Sequence, residues 1–146
     1  MDEASLAALR QTIEVGLEGA RRDLARRQDE LAEGRDALGR SERARQAMEL
    51  EQRRWEESVR GLSGHTLSGL ELTALRLRGE AIEARRVEVA RRHSRAEALV
   101  AGAESAVEEG RRAVGEQLAR QRWVDEETHR LREERERQAS LREDED

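Results

Sequence analysis

The chain has 146 residues, a net charge of -5, 42% charged residues and 1% aromatics, with no Phe, Tyr, Pro or Cys. So few bulky apolar residues exclude a compact globular core. The missing cysteines exclude a disulfide framework and thiol chemistry.

All 28 basic residues are arginine, a pattern that points to codon bias in a GC-rich genome. Acids and bases interleave along the chain, as in Arg21-Arg22 and Arg26-Arg27 among Glu and Asp. Such patterning predicts solvated helix faces with i,i+4 pairs. A nucleic-acid partner would require a clustered basic face, often with aromatics for stacking, so none is expected.

The first predicted element follows from leucines at seven-residue intervals: Leu17, Leu24, Leu31 and Leu38. A heptad repeat keeps apolar side chains on one stripe of a slightly underwound helix, as in a coiled coil. One core position reads Leu17, Leu24, Leu31, Leu38, Arg45, Gln52 and Val59. The other reads Leu6, Ile13, Ala20, Arg27, Gly34, Ser41, Met48, Trp55 and Leu62. Without proline nothing forces this helix to stop before its register ends. It is predicted over residues 4–61.

The register breaks at residues 61–69, where Gly61, Gly64 and Gly69 stand with Ser63 and Ser68. A tip loop is predicted at 62–68. Gly61 or Gly64 would supply the left-handed residue that ends the first helix. Ser68 with Glu71 three residues on has the spacing of a capping box for the next.

A second helix is predicted over 69–138. One seam position reads Leu75, Ile82, Val89, Ala96, Ala103, Gly110, Gln117, Val124 and Leu131. Its partner reads Leu72, Gly79, Arg86, His93, Val100, Val107, Val114, Gln121 and Thr128. Residues 139–146 are almost wholly charged and read as a frayed tail.

Folding the chain about residue 66 sets apolar zones against apolar zones. Leu62 then lies opposite Leu70, Trp55 opposite the Leu75–Leu77 region, Leu31 opposite Val100, Leu24 opposite Val107 and Leu6 opposite Val124. The polar middles also coincide, Ser41 and Arg45 facing Arg86 and His93. The expected fold is therefore all-α, a single long two-helix antiparallel coiled-coil hairpin. One continuous helix in a parallel dimer would run through three glycines at ~1 kcal/mol each against alanine. Arg27, Gly34, Arg45, Arg86 and Gly110 at seam positions predict a soft contact between the helices.

Nothing in the chain points to catalysis. His65, His93 and His129 have no metal-ligand spacing. A catalytic carboxylate pair needs a cavity that two helices do not offer, and Gly61-Leu62-Ser63-Gly64 lacks the lysine and strand of a phosphate loop. No enzyme activity, metal or cofactor is expected. The acidic start Met1-Asp2-Glu3 and the lack of any apolar run predict neither a signal peptide nor a membrane-spanning segment, hence a cytoplasmic protein.

Apolar residues outside the seam are the candidates for partner binding. Leu70, Ala74, Leu77 and Ala81 form a second stripe on the second helix, and Leu67 adds to it at the tip. At the open end Trp123 lies off the seam and is predicted to approach Leu9, near Leu6 and Val124, in a widened core or a hot spot.

This layout resembles the FliJ/YscO family, the central-stalk proteins of type III export in flagella and injectisomes. The resemblance extends over most of the chain. Residues Trp55-Glu56-Glu57-Ser58-Val59-Arg60-Gly61-Leu62-Ser63, followed by Leu67 to Ala81, are similar to the family's tip. Ala103 to Arg112 and the run at Asp125-Glu126-Glu127 resemble its second helix. The resemblance implies a non-enzymatic stalk that inserts its open end into a hexameric export ATPase and couples it to an inner-membrane export gate. It also implies possible escort of export chaperones and a cytoplasmic location, peripheral to the inner membrane through partners. On that view Leu6, Leu9, Trp123 and Val124 meet the ATPase, and Leu67, Leu70, Arg76 and Leu77 meet the gate. The alternative is a homo-oligomeric coiled-coil tether or scaffold with no ATPase partner, in which Leu70 and Leu77 pair with another copy. A holdase chaperone would carry strands between its helices, and no strand-like alternation occurs.

Overall fold

A computed structural model describes residues 1–145, and the side chains of residues 1–143. It contains two helices, α1 (Glu3–Gly61) and α2 (Gly69–Glu145), packed against each other as an all-α helical hairpin. Among the described residues there is no strand.

Both helices follow from local chemistry. Asp2 caps α1: its Oδ1 accepts a hydrogen bond from Ser5 N at 2.7 Å, satisfying one of the free N–H groups of the first turn. Ser68 caps α2 by accepting from Glu71 N at 3.2 Å, the bond its spacing predicts. Along the exposed faces an acid precedes its arginine by three or four residues in Glu18–Arg22, Asp23–Arg26, Glu42–Arg45, Glu83–Arg86, Glu88–Arg92 and Glu108–Arg111. That order suits the helix dipole, and each pair adds ~0.2–0.5 kcal/mol to helix stability.

Between the helices Leu62 N, Ser63 N and His65 N donate to carbonyls three residues back, tightening the chain end of α1. Gly64 has φ +83, the one left-handed residue among those described. Of the two glycines the sequence offers for that role, Gly64 takes it. The helix continues to Glu145 where a frayed tail from 139 is predicted; Asp146 lies outside the described residues.

The contacts group into two compact units. The first joins Met1–Asp29 to Ser105–Asp146. Its core is Leu6, Ile13 and Val124, with Leu9 and Leu131 packed against them. Leu17, Val107, Gly110 and Thr128 are also buried, at the seam positions that the heptads predict. Each fully buried Leu, Ile or Val adds ~1.5–3 kcal/mol. Arg27, a seam residue, is accommodated by small neighbours. Its Nη1 donates to Ala106 O at 2.8 Å, its Nε pairs with Asp23 at 2.8 Å, and its Cδ lies over Gly110. A Cβ on Gly110 would stand 3.1 Å from Leu24 Cδ1, so Leu24 packs on Gly110 rather than opposite Val107 as the sequence predicts.

The second unit is Glu30–Glu104. Leu31, Met48, Ile82 and Val100 are buried in it. The position of Cβ on Gly34 lies 3.6 Å from Val100. Trp55 lies on Gly79, not opposite Leu75–Leu77. The pairs Gly34–Val100, Ser41–His93 and Trp55–Gly79 are each centred on Leu67, one residue beyond the predicted fold point.

The polar middle is met in part. Ser41 Oγ lies 2.9 Å from His93 Nδ1, and His93 Nε2 lies 2.6 Å from Glu97 and 3.3 Å from Glu42. Arg45 and Arg86, predicted to share this contact, are instead exposed. Their long side chains turn outward to Glu42 and Glu83 on their own helices.

Candidate docking surfaces

The tip surface is built by the start of α2. The Ser68 cap sets the helix going, and heptad geometry then turns Gly79, Ile82 and Val89 toward α1. Residues on the other side of the helix are left in solvent. Leu70 is 82% exposed and Leu77 is 55% exposed. Ala74, Ala81 and Ala84 are exposed between and beyond them. Arg76 is exposed too, its Nε 3.8 Å from Glu80.

Leu67 departs from expectation. It is half-buried and lines an open groove with Leu62, Glu71, Ala74, Leu75 and Arg78. A second groove at the same turn is lined by Val59, Arg60, Leu62, Ser63, Leu67, Leu72 and Leu75. The tip loop thus folds Leu67 back against the helices without covering Leu70 or Leu77. Leu72, expected in the seam, is exposed instead.

In the other unit the four predicted residues separate. Leu6 is 2% and Val124 0% exposed, so both are spent on the helix contact and offer nothing to a partner. Leu9 is half-buried against the same cluster with Leu131. Trp123 stays outside that cluster and is 45% exposed. Arg10 and Asp125 pair at 2.5 Å between the helices of this unit, and Glu3 pairs with Arg135.

Other exposed apolar residues escape the sequence reading. Leu50 lines an open groove with Ala47, Arg54, Trp55 and Arg78, and Leu99 and Val15 stand in solvent. Their signal is present in the sequence: each is a large apolar residue outside both seam positions.

Among the described residues no group of three or more His, Cys, Asp or Glu side chains is arranged to hold a metal ion. The resolved pKa shifts belong to exposed groups. Asp2 is held below the usual carboxylate range by its side-chain and backbone hydrogen bonds with Ser5. Glu83 is lowered by the hydrogen bond from Arg86, and Arg86 is raised by the same bond. Among the described residues no helix is long and apolar enough to cross a membrane. No protein-family model, curated protein or solved structure matches the chain.

Proposed function

We propose that this protein is a non-enzymatic central stalk of a type III secretion system. In this reading the unit formed by Met1–Asp29 and Ser105–Asp146 enters a hexameric export ATPase, and the tip meets an inner-membrane export gate. The protein acts in the cytoplasm, held near the membrane by its partners, and can also escort export chaperones. It resembles the FliJ/YscO family in the tip and second-helix segments named above.

The observation that supports this reading is the apolar surface beside the turn. Leu70 and Leu77 stand in solvent on a chain that is 42% charged, on a helix whose opposite side is already occupied by α1. Large exposed leucines at helical spacing fit a helix-in-groove contact with another protein. Exposed Trp123, framed by charged residues, supports a second contact in the other unit.

Size-exclusion chromatography with light scattering, at low micromolar concentration, tests the proposal. The chain is run alone and with the export ATPase of the same organism. The expected result is a 16.7 kDa monomer that joins the hexamer peak. A chain that elutes apart from the ATPase at every ratio overturns the stalk and favours the tether.

A further inference from the structure

The exposed row on α2 has an internal order. Leu70, Ala74, Leu77, Ala81 and Ala84 are spaced four, three, four and three residues apart, which is the spacing of a coiled-coil seam. All five are exposed. This is a complete second seam without a helix to fill it.

The side-chain sizes say which helix fits. Leu, Ala, Leu, Ala reversed end for end is its own complement. In an antiparallel pair with an identical copy, Leu70 faces Ala81 and Ala74 faces Leu77, twice over. Every layer then holds one large and one small residue, so it neither overfills nor leaves a void. A parallel pair would set leucine on leucine and alanine on alanine. The self-matching arrangement is the isologous two-fold contact of symmetric dimers.

The charges agree. Glu71 and Arg78 occupy equivalent positions on one edge of this row, seven residues apart. An antiparallel pairing brings Glu71 of one copy beside Arg78 of the other, and the symmetry repeats the pair. Neighbouring charges are already used within the chain: Arg76 with Glu80, Arg85 with Glu51, Arg86 with Glu83. Among the described residues neither Glu71 nor Arg78 has an ion-pair partner.

We infer that the Leu70–Ala81 row is a self-association surface, on which a second copy of this chain docks antiparallel. A seam of four Leu–Ala layers is small beside the ~1,200–2,000 Å² of stable interfaces, so the association is weak. The inference does not rest on the stalk reading. If that reading holds, the dimer covers the tip surface and excludes the gate.

Sedimentation equilibrium over roughly 10 µM to 1 mM reads this directly. The expected result is a reversible monomer–dimer equilibrium that Leu77→Asp abolishes while helical circular dichroism is unchanged, because Leu77 is on the surface. Glu71→Arg or Arg78→Glu alone should weaken the dimer about tenfold by setting like charges together, and the double reversal should restore it. A wild-type chain that stays monomeric across the range overturns the inference. So does a dimer that ignores Leu77→Asp, or one indifferent to the single and double reversals alike.

Discussion

The indole of Trp55 lies against Gly79, so closely that a Cβ there would stand 2.7 Å from Trp55 Cζ2. The ring is rigid, unlike the leucine over Gly110, and cannot turn a flexible end aside. Glycine costs the helix ~1 kcal/mol against alanine at this position, and the contact with Trp55 is what it makes possible. Gly79→Ala should therefore destabilise the protein by about 1–3 kcal/mol despite the better helix former. At Gly19, Gly102 and Gly115 nothing lies within 4 Å of where a Cβ would stand. Alanine at each should stabilise by about 1 kcal/mol. Thermal melts of the four variants check both signs, and a stabilising Gly79→Ala would refute the packing argument.

Gly64 makes a similar case through the backbone. Its φ of +83 lies in the left-handed region, with open space around it. A side chain there meets no neighbour but strains its own backbone. Gly64→Ala should cost about 1–2 kcal/mol, and Gly64→Asn less, because asparagine tolerates that conformation. Equal losses in both variants would rule out the backbone as the cause.

His93 is 12% exposed in its side chain and is held by Ser41 on one ring nitrogen and by Glu97 and Glu42 on the other. His93→Ala strips Ser41 and both acids of a partner at a point where the helices meet, and should cost about 1–3 kcal/mol. A double-mutant cycle with Ser41→Ala should give a coupling of about 0.5–1.5 kcal/mol. Strictly additive losses would mean that the 2.9 Å contact carries no energy.

Much of the hairpin was legible because its signals are local. The ladder Leu17, Leu24, Leu31, Leu38 marks one face, and glycines 61, 64 and 69 mark the turn. Buried Ile82, Val100, Val107 and Val124 lie at the predicted seam positions. The axial register was harder. A heptad says which face is buried but not which layer meets which, and folding about residue 66 sets Leu24 against Val107 and Trp55 against Leu75–Leu77. The bulk of Trp55 and of Leu24 with Arg27 decides it, through the space at Gly79 and Gly110. Arg45 and Arg86 depart from the heptad pattern because a long side chain at a seam position can leave it. Leu70, Leu77 and Trp123 are recognisable in the sequence as apolar residues off the seam, whereas Leu6 and Val124 stand at seam positions and are buried there.

Acid should weaken the fold through identified groups. Asp2 and Glu83 have folded-state pKa values below their unfolded ones, from the Ser5 hydrogen bonds and from Arg86 respectively. Their stabilisation is complete above the ordinary carboxylate range and is lost as pH falls through the lowered folded values. The part of the melting-temperature profile due to these two groups should be flat from neutral pH to about 5 and should fall below about 4. Asp2→Asn keeps a good capping residue without the titration, and with Glu83→Gln it should reduce the acid slope. An unchanged slope would place the acid sensitivity elsewhere.

Trp123 and Leu6 separate docking from folding within one unit. Leu6 is 2% exposed in the cluster with Ile13 and Val124, whereas Trp123 is 45% exposed and outside it. Leu6→Ala should cost about 2–5 kcal/mol, the usual loss for a buried leucine. Any weakening of ATPase binding in that variant would follow from the unfolding of the helix pair. Trp123→Ala should cost about 1 kcal/mol or less, since Trp123 is not one of the buried core residues. Under the proposed stalk function it should nevertheless reduce ATPase affinity at least tenfold, as an exposed tryptophan at a contact does. Melting curves and binding isotherms on the same two proteins distinguish the cases. A Trp123→Ala chain that binds as well as the wild type removes this residue from the contact, because its fold would be intact and its surface changed.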